Sequence, residues 1–167
     1  FTLVPFYGQR VLFPTPSSYT QDKGNCNIGR LASVSGTGNE AIQLAESLKA
    51  ELQHLPLSAT EGGTIQFVLD EKNGLSEEAY QLTVTAEKVL LEASTVSGLF
   101  HAKEAFLQML RFGKGSLQCC RIQNHPRYAW RGFMLDESRH FFGKEKVKQY
   151  LDLMASLHLN VFHWHLT

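Results

Sequence analysis

A chain of 167 residues is long enough for one domain, or for one domain and part of a second. Its 16 basic and 16 acidic residues cancel and form no long single-sign run, so it carries no electrostatic footprint for nucleic acid or an anionic membrane. No apolar stretch approaches the roughly 20 residues of a membrane span, and Cys26, Cys119 and Cys120 have the spacing of neither a disulfide framework nor a zinc site.

Phe1 to Pro16 alternates loosely and carries prolines at 5, 14 and 16, which suits an edge strand or an entry segment. No basic start or A-x-A-like site marks a secretory leader there, although a processed chain would have lost one. Ser17 to Gly38 is rich in Ser, Thr, Asn and Gly, with a strand expected around Ile28 to Val34. Gly36-Thr37-Gly38-Asn39 breaks the chain, and Asn39 is the expected cap of the helix that follows. From Glu40 to Leu55 the apolar positions Ala41, Leu44, Ala45, Leu48, Leu52 and Leu55 form a helical stripe ended by Pro56.

Thr64 to Asp70 reads as a strand, closed by the turn pair Asn73-Gly74. Tyr80, Leu82 and Val84 alternate with Gln81, Thr83 and Thr85, and Ala86-Glu87-Lys88 turns this half-buried strand back into Val89 to Ala93 as a hairpin. Thr95 to Leu110 returns to helical period through Leu99, Ala102, Phe106, Met109 and Leu110, with Gly113 where a C-terminal glycine belongs. Leu117 to Ile122 is a further strand, on which Cys119 and Cys120 are expected to pack toward opposite faces. Asn124-His125-Pro126 then breaks the chain. Two helices and about five strands predict an α+β domain over 1–125, a mixed or antiparallel sheet with both helices packed on one face.

The tail, 126–167, has a different grammar. Gly132 to Asp136 (GFMLD) is a strand-length apolar run, Lys144 to Leu157 carries Val147, Tyr150, Leu151, Met154 and Leu157 at helical spacing, and Asn160 to Leu166 is a second strand. Strand, helix, strand with short links predicts a parallel βαβ unit. Ligands in parallel α/β folds bind at the carboxyl ends of strands, and there the chain puts Asp136, Ser138, Arg139 and His140, with His163 and His165 toward the end of the second strand.

The pieces RGFMLDESRHFF (Arg131 to Phe142) and LNVFHWHLT (Leu159 to Thr167) closely resemble the opening of the catalytic barrel of the family 20 glycoside hydrolases, the β-N-acetylhexosaminidases. Glu78 to Leu110 resembles the small accessory domain that precedes that barrel. The resemblance implies that 126–167 is the first βαβ unit of a TIM (β/α)8 barrel. It also implies that the parent protein is an exo-acting enzyme removing terminal β-linked GlcNAc or GalNAc by a retaining, substrate-assisted mechanism. No cofactor is implied, and the family's extracytoplasmic habit favours a periplasmic or secreted address.

Arg139 is the foremost candidate. A guanidinium presents a planar fork of donors suited to two vicinal sugar hydroxyls, and the D-x-S-R-H motif of the family uses its arginine in this way. A plain salt bridge with Asp136 is the other reading. Asp136 is expected to hold Arg139 or to cap the strand end. Asp136 and Glu137 do not make a catalytic carboxylate pair, because neighbours on a strand face opposite ways, and Glu137 acquires no role. His163 and His165, at i and i+2, share a face; they either fill a barrel interior or ligate a metal, although no third ligand is identifiable. His165 is expected near the sugar pocket, and Asp136, His140, His163 and His165 are expected to support the residue that touches the sugar rather than to touch it. Arg131 opens the strand at the end away from the chemistry and is expected to serve stability; Trp164 is expected to pack under the helix.

The family's catalytic Asp-Glu pair lies further along the barrel than Thr167, so the resemblance implies that these residues alone do not catalyse. Two alternatives stand beside it: part of a metal-dependent barrel hydrolase, and a stand-alone carbohydrate-binding or interaction module. The βαβ tail is expected either to pack on the preceding domain in a non-barrel arrangement or to self-associate between chains.

Overall fold

The computed structural model of the chain describes residues 12–167; most of the segment read as an edge strand or entry segment, Phe1 to Val11, lies outside them. The described residues form two compact units, one ending at His125 and one spanning Pro126–Thr167.

The first unit is an α+β layer. Its strands are β1 (Ser18–Asn27), β2 (Ser33–Thr37), β3 (Thr64–Leu69), β4 (Tyr80–Val84), β5 (Lys88–Ala93) and β6 (Ser116–Asn124), in the sheet order β1-β6-β4-β5-β3-β2. β2 and β3 pair parallel, as do β3 and β5, while β1, β6, β4 and β5 pair antiparallel in turn. Helix α1 (Asn39–His54) packs over β2 and β3, and α2 (Val96–Gly113) over β5, β4, β6 and β3. Alternation does the sorting: Tyr80, Leu82, Val84, Val89, Leu91 and Ala93 are buried in the helix-lined core, whereas Gln81, Thr83, Leu90 and Glu92 between them are half-exposed.

The Ile28 to Val34 expectation is corrected. Ile28 makes only an isolated bridge with Gly62, and the regular strands are β1 before it and β2 from Ser33. β1 escapes a hydrophobicity reading because it is an edge strand paired only to β6, and all of it but Tyr19 and Cys26 is exposed. Nor does Asn39 cap α1. The cap is Gly38 at φ 87°, whose carbonyl accepts from Ile42 N at 3.0 Å, with no side-chain cap. The turn out of β2 is too tight for a side chain: a Cβ on Gly36 would lie 2.4 Å from the Ala41 backbone.

At the other helix, Thr95 is the N-cap, its hydroxyl accepting from Gly98 N at 3.1 Å. Gly113 is the last helical residue, and the left-handed C-cap position falls to Lys114 at φ 50°. The single apolar face expected for α2 is too narrow, since His101, Lys103 and Glu104 are buried as well. Such burial demands partners. Lys103 Nζ donates to Glu51 Oε1 at 2.6 Å and lies 3.4 Å from Glu104 Oε1, while His101 Nε2 stands 3.6 Å from Glu78 Oε1. Burial raises the Glu104 carboxyl above its ordinary value, with Lys103 opposing the shift.

Cys119 and Cys120 are both buried, and of the two Cys120 belongs to the helix-lined core cluster. The β1–β6 register shifts between Gln21 and Asn25, and both thiols are buried beside it, at 3% and 0% exposure. Burial pushes Cys26 up and Cys120 up to about 11. The folded 167-residue polypeptide is therefore expected to resist Ellman's reagent at pH 8 for many minutes, and to release three thiol equivalents on unfolding. Rapid labelling of Cys120 in the folded chain would contradict this packing.

In the second unit, β7 (Gly132–Asp136) and β8 (Val161–His165) pair parallel, joined by α3 (Lys144–Ser156). Phe133, Leu135, Phe162 and Trp164 share the side of this pair toward α3, where the Phe133 ring lies 5.4 Å from Tyr150 and 6.3 Å from Phe162. The α3 stripe is narrower than its sequence suggests: Val147 and Met154 are buried, but Leu151 is 44% exposed. At the start of β7, Arg131 donates from Nε to the His158 carbonyl at 2.7 Å and from Nη1 to the Tyr128 carbonyl at 2.6 Å. Asn160 accepts from Arg131 N at 2.9 Å and donates to the Ala129 carbonyl at 2.7 Å. These bonds clamp the end of the unit at which β7 and β8 begin.

Candidate functional site

The parallel register brings Asp136 at the end of β7 beside His165 at the end of β8. Both lie on the face opposite α3, together with Met134 and His163. The chain then leaves β7 through a loop, 137–143, before α3 begins.

Asp136 organises the entry to that loop. Its Oδ1 accepts from Ser138 N at 3.0 Å and from the Ser138 hydroxyl at 2.7 Å, and its Oδ2 faces Arg139 Nε at 3.6 Å. The Ser138 hydroxyl bond, with the backbone amides of Ser138 and Arg139 and the charge of His165, holds the carboxyl below its ordinary value. Because the shift is downward, the carboxylate stays ionised throughout the pH range above an ordinary aspartate. The turn it holds is lost only as pH falls through the depressed value. Arg139 is 89% exposed in its side chain, so its guanidinium donors remain open to solvent beyond the one contact to Asp136. The salt-bridge reading and the ligand-binding reading are thus compatible: Asp136 orients the guanidinium without covering it.

The histidines separate into two environments. His163 and His165 share a face, as alternation requires, with ring centroids 6.4 Å apart and planes at 83°. Among the described residues no cluster of three or more His, Cys, Asp or Glu is placed to hold a metal, and nothing beyond the H-x-H spacing supports a metal site. His140 is exposed and its ring meets Phe142 edge-on at 4.8 Å.

Glu137 is the residue that the sequence reading missed. It points away from Asp136, as expected, yet its residue is only 6% exposed and its carboxylate is fully engaged. Oε1 accepts from Phe142 N at 3.0 Å and Gly143 N at 3.2 Å, and Oε2 accepts from the Trp164 indole. Trp164 is correspondingly not a core side chain: it lies on the α3 side of β8 but stays 44% exposed, anchored by its N–H. A signal was available. A carboxylate that strand alternation turns inward must find donors, and a helix N-terminus six residues on plus an indole on the neighbouring strand supply them.

Residues 9–125 match the model of glycosyl hydrolase family 20, domain 2, and residues 128–167 match that of the glycosyl hydrolase family 20 catalytic domain. A β-hexosaminidase of Vibrio furnissii is 35% identical over 159 residues, covering 93% of this chain and 26% of that protein. A β-N-acetylhexosaminidase of Cellulomonas fimi is 37% identical over 132 residues, covering 74% of this chain and 27% of that protein. Among solved structures, a family 20 exo-β-N-acetylglucosaminidase of Vibrio harveyi, in complex with N-acetylglucosamine, superposes with a TM-score of 0.82 at 35% identity, over 96% of this chain and 26% of its own. An N-acetyl-β-hexosaminidase of Streptomyces plicatus does so with a TM-score of 0.82 at 28% identity, over 99% and 36%. The chain thus spans about a quarter of the length of the curated relatives it matches. With one family model covering most of the chain and a second covering the tail that carries Arg139, the chain belongs to glycosyl hydrolase family 20.

Proposed function

We propose that this chain is part of an exo-acting β-N-acetylhexosaminidase, which removes terminal β-linked GlcNAc or GalNAc from glycans with retention, and that Arg139 grips the terminal sugar. The observation that carries the reading is an open guanidinium at the carboxyl end of β7, oriented by Asp136, within the residues that match the family's catalytic domain. Relatives that are named β-hexosaminidases, and a neighbour solved with N-acetylglucosamine, support the substrate class.

In this reading 1–125 is the accessory domain and β7-α3-β8 opens a (β/α)8 barrel, whose chemistry gathers at the carboxyl ends of its strands. The reaction is substrate-assisted. The 2-acetamido oxygen of the sugar attacks the anomeric carbon while a carboxylic acid protonates the leaving oxygen, and water then opens the oxazolinium ion with net retention. Arg139 binds hydroxyls of the terminal sugar through its planar donor fork. Asp136 keeps that fork aimed, and His140, His163 and His165 flank the same end of the unit. Asp136 and Glu137 cannot serve as acid and partner, since they diverge to opposite faces and both are committed to the loop.

These 167 residues by themselves are therefore expected to be inactive, and the apolar side chains left exposed on β7 and β8 (Met134, Trp164) invite self-association of the isolated polypeptide. The test is hydrolysis of a chromogenic N-acetyl-β-glucosaminide by the 167-residue polypeptide and by the full-length product of its gene. Activity confined to the longer protein is the expected result. Turnover by the short one would return Asp136, Glu137 or the histidines to the chemistry, and silence from both would leave a carbohydrate-binding module as the better reading.

A further inference from the structure

We infer that Glu137 is a positioning residue for sugar recognition: with Trp164 it ties off the loop that presents Arg139, and so sets how tightly the sugar is held. The inference rests on the reading of Arg139 given above and adds to it a second carboxylate with a separate task.

The loop has two ends, and adjacent carboxylates secure one each. Asp136, on the open face, folds the entry through Ser138 N and Oγ. Glu137, on the α3 face, secures the exit by accepting from the amides of Phe142 and Gly143. Ser138, Arg139, His140 and Phe141 are thereby enclosed in a ring closed by one side chain. The ring is in turn fixed to the neighbouring strand twice. Glu137 N donates to the His165 carbonyl at 2.9 Å, and Glu137 Oε2 takes the Trp164 indole N–H.

The enclosed residues need such a tie, because they have little packing of their own. Ser138, Arg139, His140 and Phe141 are all exposed, and Phe141 is 73% exposed despite its size. A loop with an open tip and few buried apolar contacts samples many conformations unless its backbone is bonded down. Asp136 alone orients Arg139 through one exposed contact of 3.6 Å, which is weak and screened. The buried Glu137 carboxylate is the stronger constraint: three N–H donors bind it, two on one oxygen and one on the other, at a site nearly shut from water. Binding then need not also order the arginine.

The two carboxylates also differ in what a substitution removes. Gln at 137 keeps one acceptor oxygen but turns an NH2 toward either the two amides or the indole N–H, so one side of the tie must open. Trp164→Phe removes the donor on β8 and leaves the amide side intact.

The experiment uses the full-length protein and steady-state hydrolysis of a chromogenic N-acetyl-β-glucosaminide, with Glu137→Gln, Trp164→Phe, Arg139→Lys and the Glu137→Gln/Arg139→Lys double variant. Expected for Glu137→Gln is a rise in KM of about tenfold with kcat within about twofold, and faster exchange of the Phe142 and Gly143 amide protons. Trp164→Phe is expected to move KM the same way by a smaller factor. The double variant is expected to be little worse than Arg139→Lys alone, because Glu137 acts through Arg139. If Arg139→Lys leaves KM unchanged, the underlying reading of Arg139 fails. If Arg139→Lys raises KM but Glu137→Gln does not, this inference fails and that reading survives. Fully additive effects, or equal losses in kcat and KM terms tracking a lower melting temperature, would make Glu137 a residue of general stability and overturn the proposal. Should Glu137→Gln not fold, Trp164→Phe decides: an unchanged KM there overturns the tie.

Discussion

Replacing Arg139 with alanine in the full-length protein is expected to lower kcat/KM toward a chromogenic N-acetyl-β-glucosaminide by about 10²- to 10⁴-fold. The estimate follows from two charge-assisted hydrogen bonds to sugar hydroxyls, each worth about 1.5–3 kcal/mol in a desolvated site. The same change is expected to leave the fold alone. Arg139 is 89% exposed and its ion pair with Asp136, three residues away, is of the exposed kind that contributes little. Stability and function therefore separate at this position, which makes it a clean test. Lysine should recover only part of the loss, because a point charge cannot reproduce the planar fork. An Arg139→Ala protein that melts normally and keeps its activity within about twofold would remove Arg139 from the site.

The second large effect is on stability. Phe106→Ala is expected to destabilise the first unit by about 3–5 kcal/mol, with a melting midpoint lower by about 10–20 °C. Phe106 lies on α2 with no exposed surface, inside the cluster shared with the sheet. Alanine is the better helix former, so intrinsic helix propensity opposes the loss and the whole effect is packing. The same helix supplies its own control. Phe112 is 69% exposed, and Phe112→Ala should shift stability by no more than about 0.5 kcal/mol. Equal effects of the two substitutions in a thermal melt would mean that α2 does not pack on the sheet through Phe106.

How much of this was legible beforehand divides along a physical line. Wherever one face of an element is buried, period betrays it. The hairpin of β4 and β5 could be read from alternation, the stripe of α1 from helical spacing, and β7 and β8 from apolar runs of strand length, because burial forces apolar residues to recur or to cluster. β1 could not. An edge strand buries almost nothing, and the polar run SYTQDKGN carries no period to find. The buried charges of α2 were equally invisible, since Lys103 is tolerable inside only because Glu51 stands 52 residues away in sequence and 2.6 Å away in space.

At the site, local spacing already says which residues gather: Asp136, Ser138 and Arg139 follow the apolar run of β7, and H-x-H puts two imidazoles on one side of β8. Local spacing suffices for that, because strand alternation and short-range turns are properties of consecutive residues. The partnership of Glu137 and Trp164 emerges only once the strands are paired. Their bond joins residues 27 apart through the parallel register of β7 and β8, and no local rule specifies which side chain a buried carboxylate will find on the neighbouring strand.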